Sequence, residues 1–298
     1  MRERESQIAL GLDPDPSRLL PEALSSVPVA SSAPAEQAAQ AVAKHCRLLI
    51  EATAPACAAV KLQLACFERL GAPGWVALAD AAEAARAAGL LVIADGKRGD
   101  VPHTAAAYAQ ALLGATETPW GEVAGLGADA VTLNPLLGRD SLEPLVAAAR
   151  ARAGGCFVLV RTSNPGAAEI QDADAGGAPL RDRLARLVAE LGADSTGESG
   201  LSDVGAVVAA TEPRLLDGLR ELMPRAIFLL PGVGAQGGRA ELLSPAFRPG
   251  RAAALIAASR SIANAALDGD TAGGRLNAAR AAAESLRESA WEVSAAPG

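Results

Sequence analysis

Lysine is scarce in this chain of 298 residues. Of its 27 basic residues, 24 are arginine, and the only lysines are Lys44, Lys61 and Lys97. Lysine differs from arginine because the pKa of its compact ammonium shifts readily enough for proton transfer. Lys61 and Lys97 each follow a strand-like apolar run, whereas Lys44 lies in a polar helical stretch. The two lysines at strand ends are therefore candidates for a chemical role.

Other absences narrow the class of protein. The sequence has no apolar run of eighteen residues, and its start, MRERESQ, lacks the apolar segment of a signal peptide, so we expect a cytoplasmic protein that does not span a membrane. The net charge of −7 gives no basic surface for nucleic acid, and we expect no nucleic-acid partner. Cys46, Cys57, Cys66 and Cys156 lack paired CxxC spacing, which favours reduced core thiols over disulfides or a zinc site.

Short apolar runs alternate along the chain with longer helical patterns. The predicted strands are Gln7–Asp13, Ala58–Gln63, Leu90–Gly96, Ala130–Asn134, Cys156–Thr162, Val204–Thr211, Ala226–Val233 and Ala253–Ser259. The predicted helices include Pro73–Gly89, Ser141–Ala153, Pro179–Leu191, Glu212–Leu222 and a last one from Gly274 to about Ala290. The stretch 14–35 is predicted to be an irregular connection into the first helix.

Apolar strands that alternate with helices indicate a parallel sheet covered by helices. Eight such units fit a (β/α)8 TIM barrel, and an open doubly wound sheet is the competing fold. Nearly every strand ends on a polar residue, and a barrel brings those ends together on one face. No GxGxxG follows the first strand, which weakens a dinucleotide site. We therefore predict a single TIM-barrel domain over residues 1–298.

The segment Asp95-Gly96-Lys97-Arg98-Gly99-Asp100 places alternating charges at the end of an apolar strand. Residues two apart on a strand share a face, so Asp95 and Lys97 are expected to point together into the barrel mouth. With Lys61 from the neighbouring strand and Asp100, they form a row of two ammonium and two carboxylate groups. A structural salt-bridge network is the alternative, since buried ions are costly unless they pair well. Four ions at the catalytic end of a barrel favour an active site.

A second site is indicated by the glycine-rich segment 231–238, PGVGAQGG, and by Arg260. Loops after strands seven and eight of such barrels frequently bind phosphate through backbone N–H groups and a helix N-terminus. The arginine offers a bidentate charged contact to the same group. A phosphorylated ligand is therefore expected.

Several strings together resemble the orotidine 5′-phosphate decarboxylase family, in particular its longer bacterial branch. They are GLDPD at 11–15, VKLQLACFE at 60–68, DGKRGDV at 95–101, DAVTLNPLLG at 129–138, RTSNPGA at 161–167, PGVGAQGG at 231–238 and SRSI at 259–262. The resemblance implies a barrel without a cofactor or metal that converts orotidine 5′-monophosphate to UMP. It also implies a homodimer with active sites shared across the interface.

By the same resemblance, Lys61, Asp95 and Lys97 form the charged row and Asp100 completes it from the partner subunit. Lys97 is the implied acid that protonates C6 of the pyrimidine. The implied ligand contacts are Asp13 and Lys61 to the ribose, Thr104 across the dimer, Ser163 to the pyrimidine amide, and Gln236 and Arg260 to the phosphate.

Three other functions compete with this one. A related sugar-phosphate decarboxylase also has an Asp-x-Lys-x-x-Asp string, but it needs Mg2+ and a carboxylate ligand after strand two, where this chain has Lys61. A Schiff-base aldolase needs a neutral lysine, and flanking aspartates favour a charged one. A non-catalytic barrel that binds a phosphorylated ligand is the third, and the intact charged row argues against it.

Overall fold

The apolar runs of the sequence form eight parallel strands that close into a barrel. The computed structural model describes residues 1, 3–27, 33–234 and 236–295. The barrel strands are β1 (Ile8–Leu12), β2 (Ala59–Gln63), β3 (Leu91–Arg98), β4 (Ala130–Leu133), β5 (Gly155–Arg161), β6 (Val204–Val208), β7 (Phe228–Pro231) and β8 (Ala254–Ala258). Leu10 of β1 pairs with both Val60 of β2 and Ala258 of β8, which closes the sheet. The predicted (β/α)8 barrel is confirmed, and an open sheet is excluded.

Helices surround the barrel. They are α1 (Pro21–Leu24), α2 (Pro34–Thr53), α3 (Leu64–Glu68), α4 (Ala72–Ala87), α5 (Pro102–Leu112), α6 (Arg139–Ala151), α7 (Ala167–Gln171), α8 (Leu180–Leu191), α9 (Leu216–Leu222), α10 (Arg260–Leu267) and α11 (Ala272–Val293). The five predicted helices all form, with ends shifted by a few residues. Among the described residues, no helix is both long and apolar enough to cross a bilayer.

The strands are apolar along their whole length because both of their faces are covered. One cluster of buried residues lies between the outer faces of the strands and the helices. A smaller cluster fills the barrel interior, where Ala9, Ile93, Phe157 and Leu229 meet. Small and large side chains together fill this interior, so the barrel is a packed core that opens only at its mouth.

The four cysteines are free thiols, as predicted from their spacing. Cys46, Cys57 and Cys156 are buried, and Cys66 is half-buried. Burial raises the pKa of Cys57 and of Cys156 to about 12, so both thiols stay protonated at neutral pH.

The structure departs from the predicted elements mainly in the connections. A hairpin of strands Ala115–Thr118 and Gly121–Ala124 follows α5, and Trp120 at its tip is 92% exposed. The hairpin was not predicted because its strands lack a buried face, and hence an alternating apolar pattern. The stretch 14–35 contains α1, and residues 28–32 within it lie outside the described residues.

Candidate active site

A large cavity opens at the carboxyl ends of the barrel strands. Its volume is about 1260 Å3, enough for a phosphorylated small molecule, since such sites commonly occupy roughly 300–1000 Å3. Of the residues predicted from the sequence, those lining it are Asp13, Lys61, Asp95, Lys97, Ser163, Gln236 and Arg260. They come from six strand ends, and the parallel barrel brings them together because all its strands point the same way. Asp100 and Thr104 do not line this cavity.

Asp95 lies between two ammonium groups. Its Oδ2 is 2.7 Å from Nζ of Lys61, and its Oδ1 is 2.7 Å from Nζ of Lys97. Nζ of Lys61 is also 3.6 Å from Oδ1 of Asp13. The charges of one chain thus alternate in the order Asp13, Lys61, Asp95, Lys97. The predicted contact among Lys61, Asp95 and Lys97 is present.

Asp95 and Lys61 of the row stay charged at neutral pH. Burial favours the neutral form of Asp95, but the ammonium groups of Lys61 and Lys97 more than offset it and lower the pKa of Asp95 to about 2. Burial likewise acts to lower the pKa of Lys61, but the carboxylates of Asp95 and Asp13 outweigh it, so this pKa is raised. A lysine held in its charged form is unsuited to the neutral amine that Schiff-base chemistry requires.

The two lysines differ in their access to the cavity. The side chain of Lys61 is 8% exposed, whereas that of Lys97 is 41% exposed. Nζ of Lys97 also donates a hydrogen bond to Oε1 of Gln63 at 3.4 Å. Both lysines line the cavity, and the side chain of Lys97 is the more accessible of the two.

Lys97 reaches this position through an unusual backbone. Its φ is +48°, in the left-handed region, which costs about 1–2 kcal/mol for an L-residue other than glycine. The register between β3 and β4 shifts between Ala94 and Arg98 at the same place. The sequence argument from strand alternation was therefore wrong in its reason, although Asp95 and Lys97 do meet. Strained residues of this kind cluster at functional sites, where the surroundings hold them.

Asp100 and Thr104 lie at the start of α5, outside the cavity of their own chain. Oδ1 of Asp100 accepts a hydrogen bond from the N–H of Val101 at 2.8 Å. In the part of the chain that the structure describes, Asp100 forms no ion pair. Pro102 begins α5 at a position where its missing N–H costs nothing, and Thr104 follows in the first turn.

The segment after β7 and the start of α10 form the other side of the cavity. Gly232 has φ +102°, where a residue with a side chain would be strained, and a Cβ there would also crowd Thr211 at 3.0 Å and Oε1 of Gln236 at 3.1 Å. Gln236 and Arg260 are both exposed and both line the cavity. Ala235 of the predicted phosphate-binding segment lies outside the described residues.

The insertion between β5 and α8 also reaches the cavity, which the sequence did not predict. Its short helix α7 contributes Ile170 and Gln171 to the lining. Oε1 of Gln171 accepts from the N–H of Thr162 at 2.8 Å, and its Nε2 donates to Oγ1 of Thr162 at 3.0 Å. Gln171 thereby fixes the residue that precedes Ser163.

Two more residues of the cavity lining are Gln63, which the sequence placed among the polar strand ends without assigning it a role, and Thr132, which sequence reasoning missed. Gln63 contacts Lys97 directly, and its position two residues after Lys61 on the same strand was an available signal. Thr132 was hidden inside the apolar string DAVTLNP, where a hydroxyl in a buried strand was the only signal.

Within the described ranges, no group of three or more His, Cys, Asp or Glu side chains is arranged to hold a metal ion. The ionic groups of the cavity are instead the alternating carboxylates and ammonium groups described above.

Comparison with known proteins gives one family. The model of the orotidine 5′-phosphate decarboxylase / HUMPS family matches residues 6–275. Orotidine 5′-phosphate decarboxylase of Rhodopirellula baltica is 43% identical over 86% of this chain and 83% of its own, and that of Deinococcus radiodurans is 46% identical over 80% and 81%. The solved structure of Leishmania donovani OMP decarboxylase is 31% identical, covers 99% of this chain and 97% of its own, and has a TM-score of 0.72. The chain therefore belongs to the orotidine 5′-phosphate decarboxylase / HUMPS family.

Proposed function

We propose that this chain is an orotidine 5′-phosphate decarboxylase, which converts orotidine 5′-monophosphate to UMP and CO2 in the synthesis of pyrimidine nucleotides. The observation that carries the proposal is the alternating row of Lys61, Asp95 and Lys97 in the cavity of a chain 43–46% identical to decarboxylases of that name. The substrate combines a carboxylate at the reacting carbon with a remote phosphate. The cavity has charged groups suited to both ends.

Lys97 is the proposed proton donor. When the bond from C6 to the carboxylate breaks, its electron pair stays on C6 and CO2 leaves. An ammonium beside C6 stabilises that developing charge most strongly in the transition state, and then supplies the proton that completes UMP. Among the lysines of the row, Lys97 has the more exposed side chain, and Asp95 fixes its Nζ at 2.7 Å.

The remaining cavity residues bind the rest of the nucleotide. Asp13 and Lys61 are proposed to bind the ribose hydroxyls, and Ser163 the pyrimidine amide. Gln236 and Arg260 are proposed to bind the phosphate, together with backbone N–H groups at the start of α10. Binding energy from the phosphate would favour closure of the segment around Gln236.

We also propose a homodimer in which Asp100 and Thr104 act in the partner's site. Neither residue lines the cavity of its own chain, and Asp100 has no ion-pair partner among the described residues. Val101, Leu136 and Leu137, on the loops after β3 and β4, are 54%, 76% and 47% exposed. These loops are adjacent, since a Cβ on Gly99 would lie 2.6 Å from the carbonyl oxygen of Asn134. An apolar surface around Asp100 suits a symmetric interface, in which the same patch serves both subunits.

The sugar-phosphate decarboxylase remains the nearest competing enzyme. Its chemistry needs a carboxylate ligand for Mg2+ after β2, and Lys61 occupies that strand end with its charge fixed by Asp95 and Asp13. The loss of orotidine 5′-monophosphate absorbance, measured with and without EDTA, distinguishes the two. We expect full turnover after metal removal. No turnover, or EDTA inhibition that Mg2+ reverses, would overturn the proposal.

We propose three further properties of this protein. They are the single domain over residues 1–298, the cytoplasmic location and the lack of a nucleic-acid partner.

A further inference from the structure

We propose that Thr132 is a positioning residue for the decarboxylation, an inference that rests on the proposed function. Thr132 lies on β4, in the cavity lining, and is 1% exposed. Its hydroxyl forms two hydrogen bonds, both to residues of the charged row. Among the described residues, Thr132 is the only residue of β4 whose side chain is hydrogen-bonded to the charged row.

The direction of both bonds follows from their partners. The N–H of Lys97 donates to Oγ1 of Thr132 at 2.9 Å. Oγ1 in turn donates to Oδ1 of Asp95 at 2.7 Å, because an ionised carboxylate only accepts. The same Oδ1 accepts from Nζ of Lys97 at 2.7 Å. One hydroxyl is therefore bonded to the backbone of Lys97 and to the carboxylate that holds its ammonium.

This arrangement explains how the backbone of Lys97 is kept in place. The register shift between Ala94 and Arg98 removes the Lys97 N–H from regular pairing with β4. The Thr132 hydroxyl takes the place of the missing strand partner and satisfies an N–H that is otherwise costly to bury. It holds Lys97 at φ +48° and also sets the orientation of Asp95. Both constraints define where the ammonium meets the substrate.

The test compares Thr132→Val, which removes the hydroxyl and keeps the shape, with Thr132→Ser, which keeps the hydroxyl. We expect Thr132→Val to lower kcat by roughly 10- to 100-fold with KM little changed, because a small displacement of a reacting group costs up to about that much in rate. Thr132→Ser should stay within about threefold of the wild type, because its hydroxyl preserves both bonds.

A matched control is Thr53→Val on α2. Thr53 is also fully buried, its hydroxyl donates to the carbonyl of Leu49, and it does not line the cavity. We expect its loss to lower Tm without lowering kcat. If Thr132→Val fails to fold, Thr132→Ala carries the same expectation for kcat.

The outcomes separate this inference from the proposed function. A wild type without turnover overturns both. An active wild type with an unimpaired, folded Thr132→Val or Thr132→Ala overturns the role of Thr132 alone. So does a Thr132→Ser as slow as the valine variant, or a Thr53→Val with an equal loss of kcat.

Discussion

At the scale of single residues, Lys97 has the most specific of the proposed roles. Its ammonium is held by Asp95 and Gln63, and its side chain is open to the cavity. We predict that Lys97→Ala abolishes turnover while UMP still binds, because the interaction is made mainly in the transition state. Decarboxylation is followed by absorbance, and UMP binding by calorimetry.

Lys44 supplies the control for that variant. It is the third lysine of the chain, lies on α2 and does not line the cavity. Lys44→Ala should keep wild-type kcat. Near-normal turnover by Lys97→Ala would show that Lys97 is not the proton donor.

A second prediction at this scale concerns Asp95 and the dependence of protein stability on pH. Its pKa is about 2 in the folded protein and near 3.8 when exposed, so the unfolded state takes up its proton first. The ionised Asp95 therefore contributes about 2 kcal/mol to the free energy of unfolding. This contribution is complete above about pH 5 and is lost as the pH falls through about 2. The free energies of unfolding of wild type and Asp95→Asn, measured in urea across this pH range, should converge by that amount. A constant difference would contradict the assignment.

At the scale of elements, the short helix α7 places part of the polar insertion between β5 and α8 in the lining of the cavity. Gln171 fixes Thr162 by two hydrogen bonds, and Thr162 is adjacent to Ser163. We predict that Gln171→Ala raises the Kd for UMP by about 2- to 10-fold, which corresponds to the usual net value of a hydrogen bond. Glu169→Ala, an exposed change on the same helix, should leave the Kd unchanged. Equal effects of the two variants would mean that α7 acts only through its stability.

Elements that bury an apolar face could be predicted, and those that do not could not. All eight strands have continuous apolar runs and the long helices have periodic apolar patterns, because burial selects for both. The helix α7 has five residues in a loop rich in Gly and Asp, too short for a helical period to be read. The end of β3 was placed at Gly96 but lies at Arg98, because Arg98 pairs with Leu133 again beyond the register shift.

The site was predictable to the extent that it follows from strand direction. Asp13, Lys61, Asp95 and Arg260 come from distant parts of the sequence and meet because parallel strands end on one face. The left-handed backbone of Lys97 and the bond from Thr132 have no sequence period. Both depend on the register shift between β3 and β4, which is a property of the three-dimensional structure.

At the scale of the whole molecule, substitution of Asp100 distinguishes an active site shared between two subunits from one formed by a single chain. Lys97→Ala and Asp100→Ala homodimers should each be inactive, or nearly so. Unfolding and refolding them together forms mixed dimers, in which one site has both native residues. With random pairing, about a quarter of wild-type activity should return. Wild type refolded in the same way is the control, and no recovery beside good wild-type recovery would contradict the shared site.

The outward position of Asp100 also bears on how a damaged gene would behave. In the proposed dimer, a chain with only one of these substitutions would leave one intact site when it pairs with a native chain, so equal amounts of the two would retain about half the activity. A chain with both Lys97→Ala and Asp100→Ala leaves none, since each of the two sites then lacks one residue. An equal mixture falls to about a quarter, because only dimers of two native chains still work. The double substitution would therefore inactivate both sites of a mixed dimer, whereas each single substitution would inactivate only one.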